Sequence, residues 1–169
     1  MAAPVVVVMG VAGSGKSTVG RLLADRLQVP FLEGDDLHPA ANRLKMASGR
    51  PLTEEDREPW LLSLARWIGR ASESGRGGVV ACSALRYGYR EVFRDAGGGV
   101  WILHLALGEA AARRRVAART GHFMPTALVD SQYAELDPLR PGEAGLTVDA
   151  EDSPQAIVDR ATAAVRAAG

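Results

Sequence analysis

The residues Gly10-Val11-Ala12-Gly13-Ser14-Gly15-Lys16-Ser17 match the pattern G-x-x-x-x-G-K-[ST]. Each residue type has a chemical reason to stand there. Glycines let successive backbone N–H groups turn toward one point with no Cβ in the way, which makes a cradle for phosphate oxygens. A lysine beside that cradle is a compact cation able to reach β- and γ-phosphates, and the serine hydroxyl after it can ligate Mg²⁺. Gly10 through Thr18 is therefore the expected ATP-binding segment, with Lys16 its expected catalytic cation. The competing reading is a glycine-rich turn that binds nothing. Lysine usage argues against it: of 20 Lys+Arg residues only Lys16 and Lys45 are lysines. The rigid planar fork of arginine cannot replace a flexible point charge between two phosphates. Lys45 stays open between a functional role and a plain surface position.

Magnesium needs further hard oxygen donors. The apolar run Val79-Val-Ala-Cys82 leads into Ser83 rather than an aspartate. The nearest carboxylates are then Glu33 and Asp35, at the end of the run Val29-Pro-Phe-Leu32; helix capping or a solvated turn is the alternative for both. A second basic segment runs from Arg113 to Pro125. Arg115 and Arg119 are four apart and share one helix face. The Gly121-His122-Phe123 loop after them suits a lid that closes guanidinium groups over phosphates. Arg113 and Arg114 need no more than a helix C-terminus to complement.

The elements that must position these groups alternate. Pro4–Met9 reads as a buried strand, and the helical spacing that follows runs to Leu27. Val29–Leu32 is a second strand. His38 to Arg57 is polar and turn-rich, with short helices. Thr53 and Asp56 mark a helix start, and Trp60, Leu61, Leu64, Trp67, Ile68 and Ala71 lie along one face of that helix. Val79–Cys82 and Val100–Ala106 are further strands, with helices at Arg86–Phe93, through Arg119, and at Thr126–Leu136. Leu146–Val148 is a weak fifth strand, and Ser153-Pro154 suits the N-cap and first position of a last helix. Strands alternating with helices predict a doubly wound α/β fold, a parallel five-stranded sheet with helices on both faces and ligands at the C-terminal strand ends.

Length and charge bound the function. A chain of 169 residues is expected to form one domain, 1–169. Twenty acidic residues balance the twenty basic ones, and the pI is near 6.8. No basic surface suited to nucleic acid is expected, nor a run long enough to span a bilayer. The apolar N-terminal run lacks a basic segment before it and leads straight into the phosphate loop, so it is not read as a signal peptide. The single cysteine, Cys82, excludes an intramolecular disulfide and is read as a small buried hydrophobe. These features predict a soluble cytoplasmic protein. The Asn-Lys-x-Asp motif expected of a GTPase is missing, since neither lysine sits in one.

The phosphate loop together with Gly34-Asp35-Asp36-Leu37-His38-Pro39, Lys45-Met46, Pro51-Leu52, Asp56-Arg57-x-Pro59-Trp60, Cys82-Ser83-Ala84-Leu85 and Gly121-His122-Phe123 resembles the gluconokinases of the small phosphate-loop type, relatives of shikimate and adenylate kinases. The resemblance runs from Val5 to the final helix. It implies ATP-dependent phosphorylation of D-gluconate to 6-phosphogluconate with Mg²⁺, a nucleoside-monophosphate-kinase-like fold, a substrate region at about 36–60, a lid at about 119–126, and a homodimer. Position by position it implies Asp35 as the base at the substrate hydroxyl and as a metal-side carboxylate. It implies Arg57 as the receiver of the substrate carboxylate, and Ser83 and Arg86 facing the substrate. Arg115 is implied to pack on adenine, and Arg119 to act as the catalytic lid arginine at the phosphates. His38 and His122 fall in signature segments and, with Arg43, are expected near the substrate. Two positions depart from the pattern. Glu33 replaces the aspartate of many relatives, which favours a water-mediated contact to the metal that Ser17 ligates. Arg86 replaces a lysine, which keeps charge but changes geometry. Independently of the resemblance, a polyol carboxylate calls for a fork-shaped cation and hydrogen-bonding groups, and His38, Asn42, Arg43, Arg50 and Arg57 crowd one segment. A kinase for another small hydroxy acid, such as shikimate, and a nucleotide-binding regulator without phosphotransfer are the other readings.

Overall fold

The computed structural model describes residues 3–118 and 126–168, so residues 119–125 of the expected lid, with Arg119 and His122, lie outside the described residues. Five strands form one parallel sheet: β1 (Val5–Met9), β2 (Phe31–Glu33), β3 (Gly78–Ala81), β4 (Val100–Ala106) and β5 (Gly145–Asp149). Their order is β2-β3-β1-β4-β5. The helices are α1 (Lys16–Leu27), α2 (Ala40–Ala47), α3 (Glu54–Glu73), α4 (Tyr87–Ala96), α5 (Glu109–Ala118), α6 (Thr126–Glu135) and α7 (Pro154–Ala168), with a 3₁₀ turn at Gly34–Leu37. The predicted doubly wound sheet is what forms, and element ends move by one to three residues, most at the end of α4, which runs past Phe93 to Ala96. The second strand, for example, reaches Glu33 because Phe31, Leu32 and Glu33 register against Val79, Val80 and Ala81.

The period of two along each strand divides the interior. Val6 and Val8 join Val19, Leu23, Ile157 and Val165 on the face covered by α1 and α7, while Val5, Val7 and Met9 join Trp60, Leu64, Ile68 and Phe93 on the face covered by α3 and α4. β1 is fully buried on both faces, as a central parallel strand must be, and so reads as an unbroken apolar run. Cys82 lies inside the second of these cores, and burial pushes its thiol pKa up, keeping it protonated.

Three connections at the C-terminal edge are fixed by specific bonds. α3 begins with a complete capping box: the Thr53 hydroxyl accepts from the Asp56 N–H, and the Asp56 carboxylate accepts from the Thr53 N–H. Asp56 also accepts from Lys45 Nζ at 2.6 Å, which clasps α2 to α3. Lys45 thus has a bracing role. The Lys45 hydrogen bond, ahead of those from Thr53, pulls the Asp56 carboxyl down to about 2. A carboxyl whose pKa is lower in the folded than in the unfolded chain stabilises the fold above its ordinary pKa. That contribution is lost as pH falls toward the lowered value. The melting-temperature difference between the wild type and Lys45→Met should therefore be largest above about pH 5 and shrink toward zero near pH 2.

The turn after β3 is held from beneath. Ala84 adopts a left-handed φ of 44°, a strained conformation for a residue with a Cβ. Arg90, fully buried, donates to the carbonyls of Ala84 and Leu85 from Nη1, to Pro138 O from Nη2, and to Glu143 from Nε and Nη2. Glu143 is 4% exposed and also accepts from Arg94. Breaking one side of such a buried pair leaves a charge uncompensated, at about 3–5 kcal/mol. Glu143→Ala should lower unfolding free energy by about that amount in a urea titration. An effect below about 1 kcal/mol would mean that solvent compensates Arg90.

Candidate active site

The adjacent strands β2, β3 and β1 deliver their C-terminal ends to one cleft of about 600 Å³. β1 contributes the phosphate loop. Ala12, Gly13, Gly15, Lys16 and Ser17 line the cleft. Gly15 has φ +93°, and nothing lies within 4 Å of where its Cβ would be, so the loop leaves open space at the start of α1. The helix N-terminus adds its positive end there. Lys16 Nζ donates to Val11 O at 3.0 Å, folding the ammonium over the loop. Gly10, Val11 and Ser14 are buried behind the loop and do not line the cleft, and Thr18 is exposed on the first turn of α1.

β2 contributes the carboxylates. Glu33, Asp35 and Asp36 all line the cleft, and the Ser17 hydroxyl donates to Glu33 Oε2. Gly34 is required by close approach: a Cβ there would stand 2.5 Å from Ala81 O and 2.8 Å from Cys82 Cβ. The absence of a side chain lets the 3₁₀ turn sit on the end of β3. Trp60, from α3, donates Nε1–H to Gly34 O at 2.9 Å, and its ring stacks on His38 with centroids 4.5 Å apart. His38 is 8% exposed, and its Nδ1 accepts from the Asn42 amide at 3.2 Å. Burial lowers the His38 pKa more than Asp35 raises it, so the ring is neutral near pH 7. Asn42 donates on to Asp56 O at 2.7 Å.

The third group of residues comes from the turn after β3 and from helices α2 to α5. Ser83, after β3, lines it, as does Arg43, which donates to Asp36 O at 2.6 Å. Arg57 donates from Nη1 to Tyr89 Oη at 2.8 Å and from Nη2 to both Glu135 oxygens at 2.7 and 2.9 Å. Burial works against its charge, but the bonds from Glu135 and Tyr89 win and raise the guanidinium pKa further. Arg86 is half-exposed at the start of α4, ion-paired with Glu54 at 3.3 Å and 3.8 Å from Glu135; it does not line the cleft. Arg115 also stays off the cleft wall, donating to Gly13 O at 3.0 Å and Ala150 O at 3.3 Å.

Sequence reasoning missed the contribution of α6. Gln132 and Glu135 line the cleft, and Gln132 Oε1 accepts from the Ala12 N–H of the phosphate loop at 2.6 Å. It also missed Tyr89 and Arg21. The signal in α6 was the (i, i+3) spacing of Gln132 and Glu135 opposite the packed Val129 and Tyr133, but spacing alone does not say which polar face turns inward.

The donor set suits a nucleotide with a hard divalent ion. A hydroxyl and carboxylates stand next to an open backbone cradle, and oxygen ligands are what Mg²⁺ takes. Among the described residues no three His, Cys, Asp or Glu side chains form a metal-binding group by themselves. Such an ion therefore needs phosphate and water oxygens besides Ser17 and a carboxylate, which is the arrangement expected of Mg²⁺ carried in with ATP. Among the described residues no helix is long and apolar enough to cross a membrane.

The family model described as shikimate kinase matches residues 12–166. The gluconokinase of Gluconobacter oxydans is 41% identical over 153 residues, covering 90% of this chain and 86% of that one. Two solved structures are similar over nearly all of the chain. A sugar kinase from Janibacter sp. HTCC2649, in an unliganded form, has a TM-score of 0.92 at 40% identity, covering 97% of this chain and 95% of that one. A gluconokinase from Sinorhizobium meliloti 1021 has a TM-score of 0.88 at 40% identity, covering 98% and 93%.

Proposed function

Because the chain belongs to the shikimate kinase family, and within it to the gluconokinases, we propose that this cleft carries the γ-phosphoryl group of ATP to the 6-hydroxyl of D-gluconate, with the following division of labour. The activity itself, ATP-dependent phosphorylation of gluconate, follows from the family. The observation that carries the residue assignment is the convergence of the phosphate loop, Asp35 and Arg57 on one cleft.

Phosphoryl transfer asks the protein mainly to position groups and to neutralise charge. The amides of the Gly13–Ser17 loop hold the phosphates and Lys16 balances the charge that builds on them. Mg²⁺ supplies charge neutralisation when bound; Ser17 would hold it directly, Glu33 through water, with Asp35 close by. Asp35 orients the attacking hydroxyl and accepts its proton. Arg57 receives the carboxylate, with Arg43, Ser83 and His38 available to the hydroxyls. His38 is neutral and held by Asn42 and Trp60, so it serves as a fixed hydrogen-bonding wall rather than a charge. Arg115, bonded to Gly13 O, supports the loop from the side assigned to adenine. Arg119 and His122 complete the proposal at the phosphates and the substrate. The assembly proposed is a cytoplasmic homodimer, which sedimentation of the purified protein tests. Residues 36–60 form its substrate region.

The acid requirement is the direct test. Sorbitol offers a similar polyol chain without the carboxylate and should be a very poor substrate, because the partly buried guanidinium then gains no charged partner from it. Arg57→Ala should raise the KM for gluconate about thirtyfold or more while that for ATP changes little, from the roughly 2–5 kcal/mol lost with one member of a buried charge pair. An unchanged gluconate KM would move the carboxylate to Arg43 or Arg86.

A further inference from the structure

Arg57 is not waiting unpaired for a substrate. Its Nη2 donates to both oxygens of Glu135, a charge-assisted contact to the same kind of group that a sugar acid carries. The two side chains are only 12% and 17% exposed, so little water screens the pair. Glu135 lines the same cleft as the phosphate loop and Asp35. Glu54 also stands 3.6 Å from Nη1 but is 63% exposed, so Glu135 is the closer and more buried carboxylate, and an acid arriving at Nη2 meets its like-charge repulsion. A second contact comes from the same helix face: Gln132, three residues earlier, takes the Ala12 N–H of the phosphate loop. One face of α6 therefore occupies hydrogen-bonding groups in both halves of the site.

We infer that Glu135 is an affinity-setting residue that competes internally for the carboxylate subsite. It yields Arg57 to the carboxylate of the incoming acid and takes it back as the product leaves. The inference rests on the reading of Arg57 given above. The chemistry gives the arrangement a purpose. Substrate and product carry the same carboxylate, so a bare Arg57 would hold both tightly and slow release. Binding that is equally strong before and after the chemical step does not accelerate that step. An internal carboxylate weakens both ligands alike and leaves ATP untouched.

The test is Glu135→Gln, which keeps the shape and an acceptor oxygen but removes the competing charge. Titration calorimetry without nucleotide should show gluconate binding about tenfold tighter, a factor that corresponds to roughly 1.4 kcal/mol. The KM for gluconate should fall with it, and product inhibition by 6-phosphogluconate should strengthen by a similar factor. The KM for ATP should stay the same, and kcat should not rise. Glu135→Asp keeps the charge on a shorter arm and should bind gluconate with an affinity between those of the wild type and Glu135→Gln, which covers the case in which the glutamine variant folds poorly. Unchanged or weaker gluconate binding in folded variants would overturn the inference and make Glu135 a residue that merely orients Arg57. Failure of the underlying reading looks different: Arg57→Ala would then leave the gluconate KM unchanged. If Arg57→Ala raises that KM while Glu135→Gln does not lower it, the carboxylate assignment stands and only the competition fails.

Discussion

Replacing Lys16 by alanine should cut turnover about a hundred- to a thousandfold, the loss that follows removal of one preorganised group aimed at developing charge. The side chain folds over the phosphate loop and lines the cleft rather than the core. Its removal therefore deletes charge stabilisation without opening a cavity, and the melting temperature in the absence of ligand should change little. The contrast between a collapsed kcat and an intact fold is the informative result. Lys16→Arg should not rescue it, because a planar fork cannot sit where a compact ammonium bridges two phosphates. A variant that turns over normally would mean the loop holds the nucleotide by its amides alone.

Asp35→Asn should be comparably severe, with kcat down about a hundred- to ten-thousandfold, the usual range for a positioned general base. The asparagine keeps the size of the side chain on the 3₁₀ turn, whose backbone is held by Trp60 through Gly34 O, so the geometry should persist. Binding of ATP should persist too, as seen by calorimetry. Asp36 lines the same cleft and supplies the built-in control. If Asp36→Asn is inactive and Asp35→Asn is not, the base is the neighbour.

Much of this could be read from the chain before any coordinates. β1 was legible because a central parallel strand is buried on both faces and cannot carry polar residues. The start of α3 was legible because Thr53 and Asp56 satisfy its first amides locally. The phosphate loop was legible because glycine, lysine and serine are each required there for a separate reason. What stayed hidden depends on which side chains meet across long sequence separations. Nothing near Arg57 announces Glu135, 78 residues away. Nothing near Ala12 announces Gln132. Arg90 reads as one more arginine in an arginine-rich chain. Its burial follows only from the meeting of the Ala84 turn with the Pro138–Glu143 segment. Lys45 was ambiguous for the same reason, since its partner Asp56 already had a complete local explanation as a capping residue.

Several bonds that brace the proposed acceptor side begin and end within one stretch of chain. Trp60 holds Gly34, Asn42 holds His38 and Asp56, Arg43 holds Asp36, and Lys45 holds Asp56. The phosphate loop hangs from a different strand and uses none of them. A segment that carries its own internal scaffolding is portable. On the proposed assignment of residues 36–60 to the substrate, a kinase of this architecture could trade one acceptor for another in descent by rewriting this stretch while its nucleotide machinery stays under separate selection. Arg57 and Glu54 are exceptions, because the partners of Arg57, Tyr89 and Glu135, and those of Glu54, Tyr89 and Arg86, lie outside the stretch. A transplanted 34–60 segment would need those three residues to travel with it, and they mark where the evolutionary module is stitched to the rest of the fold.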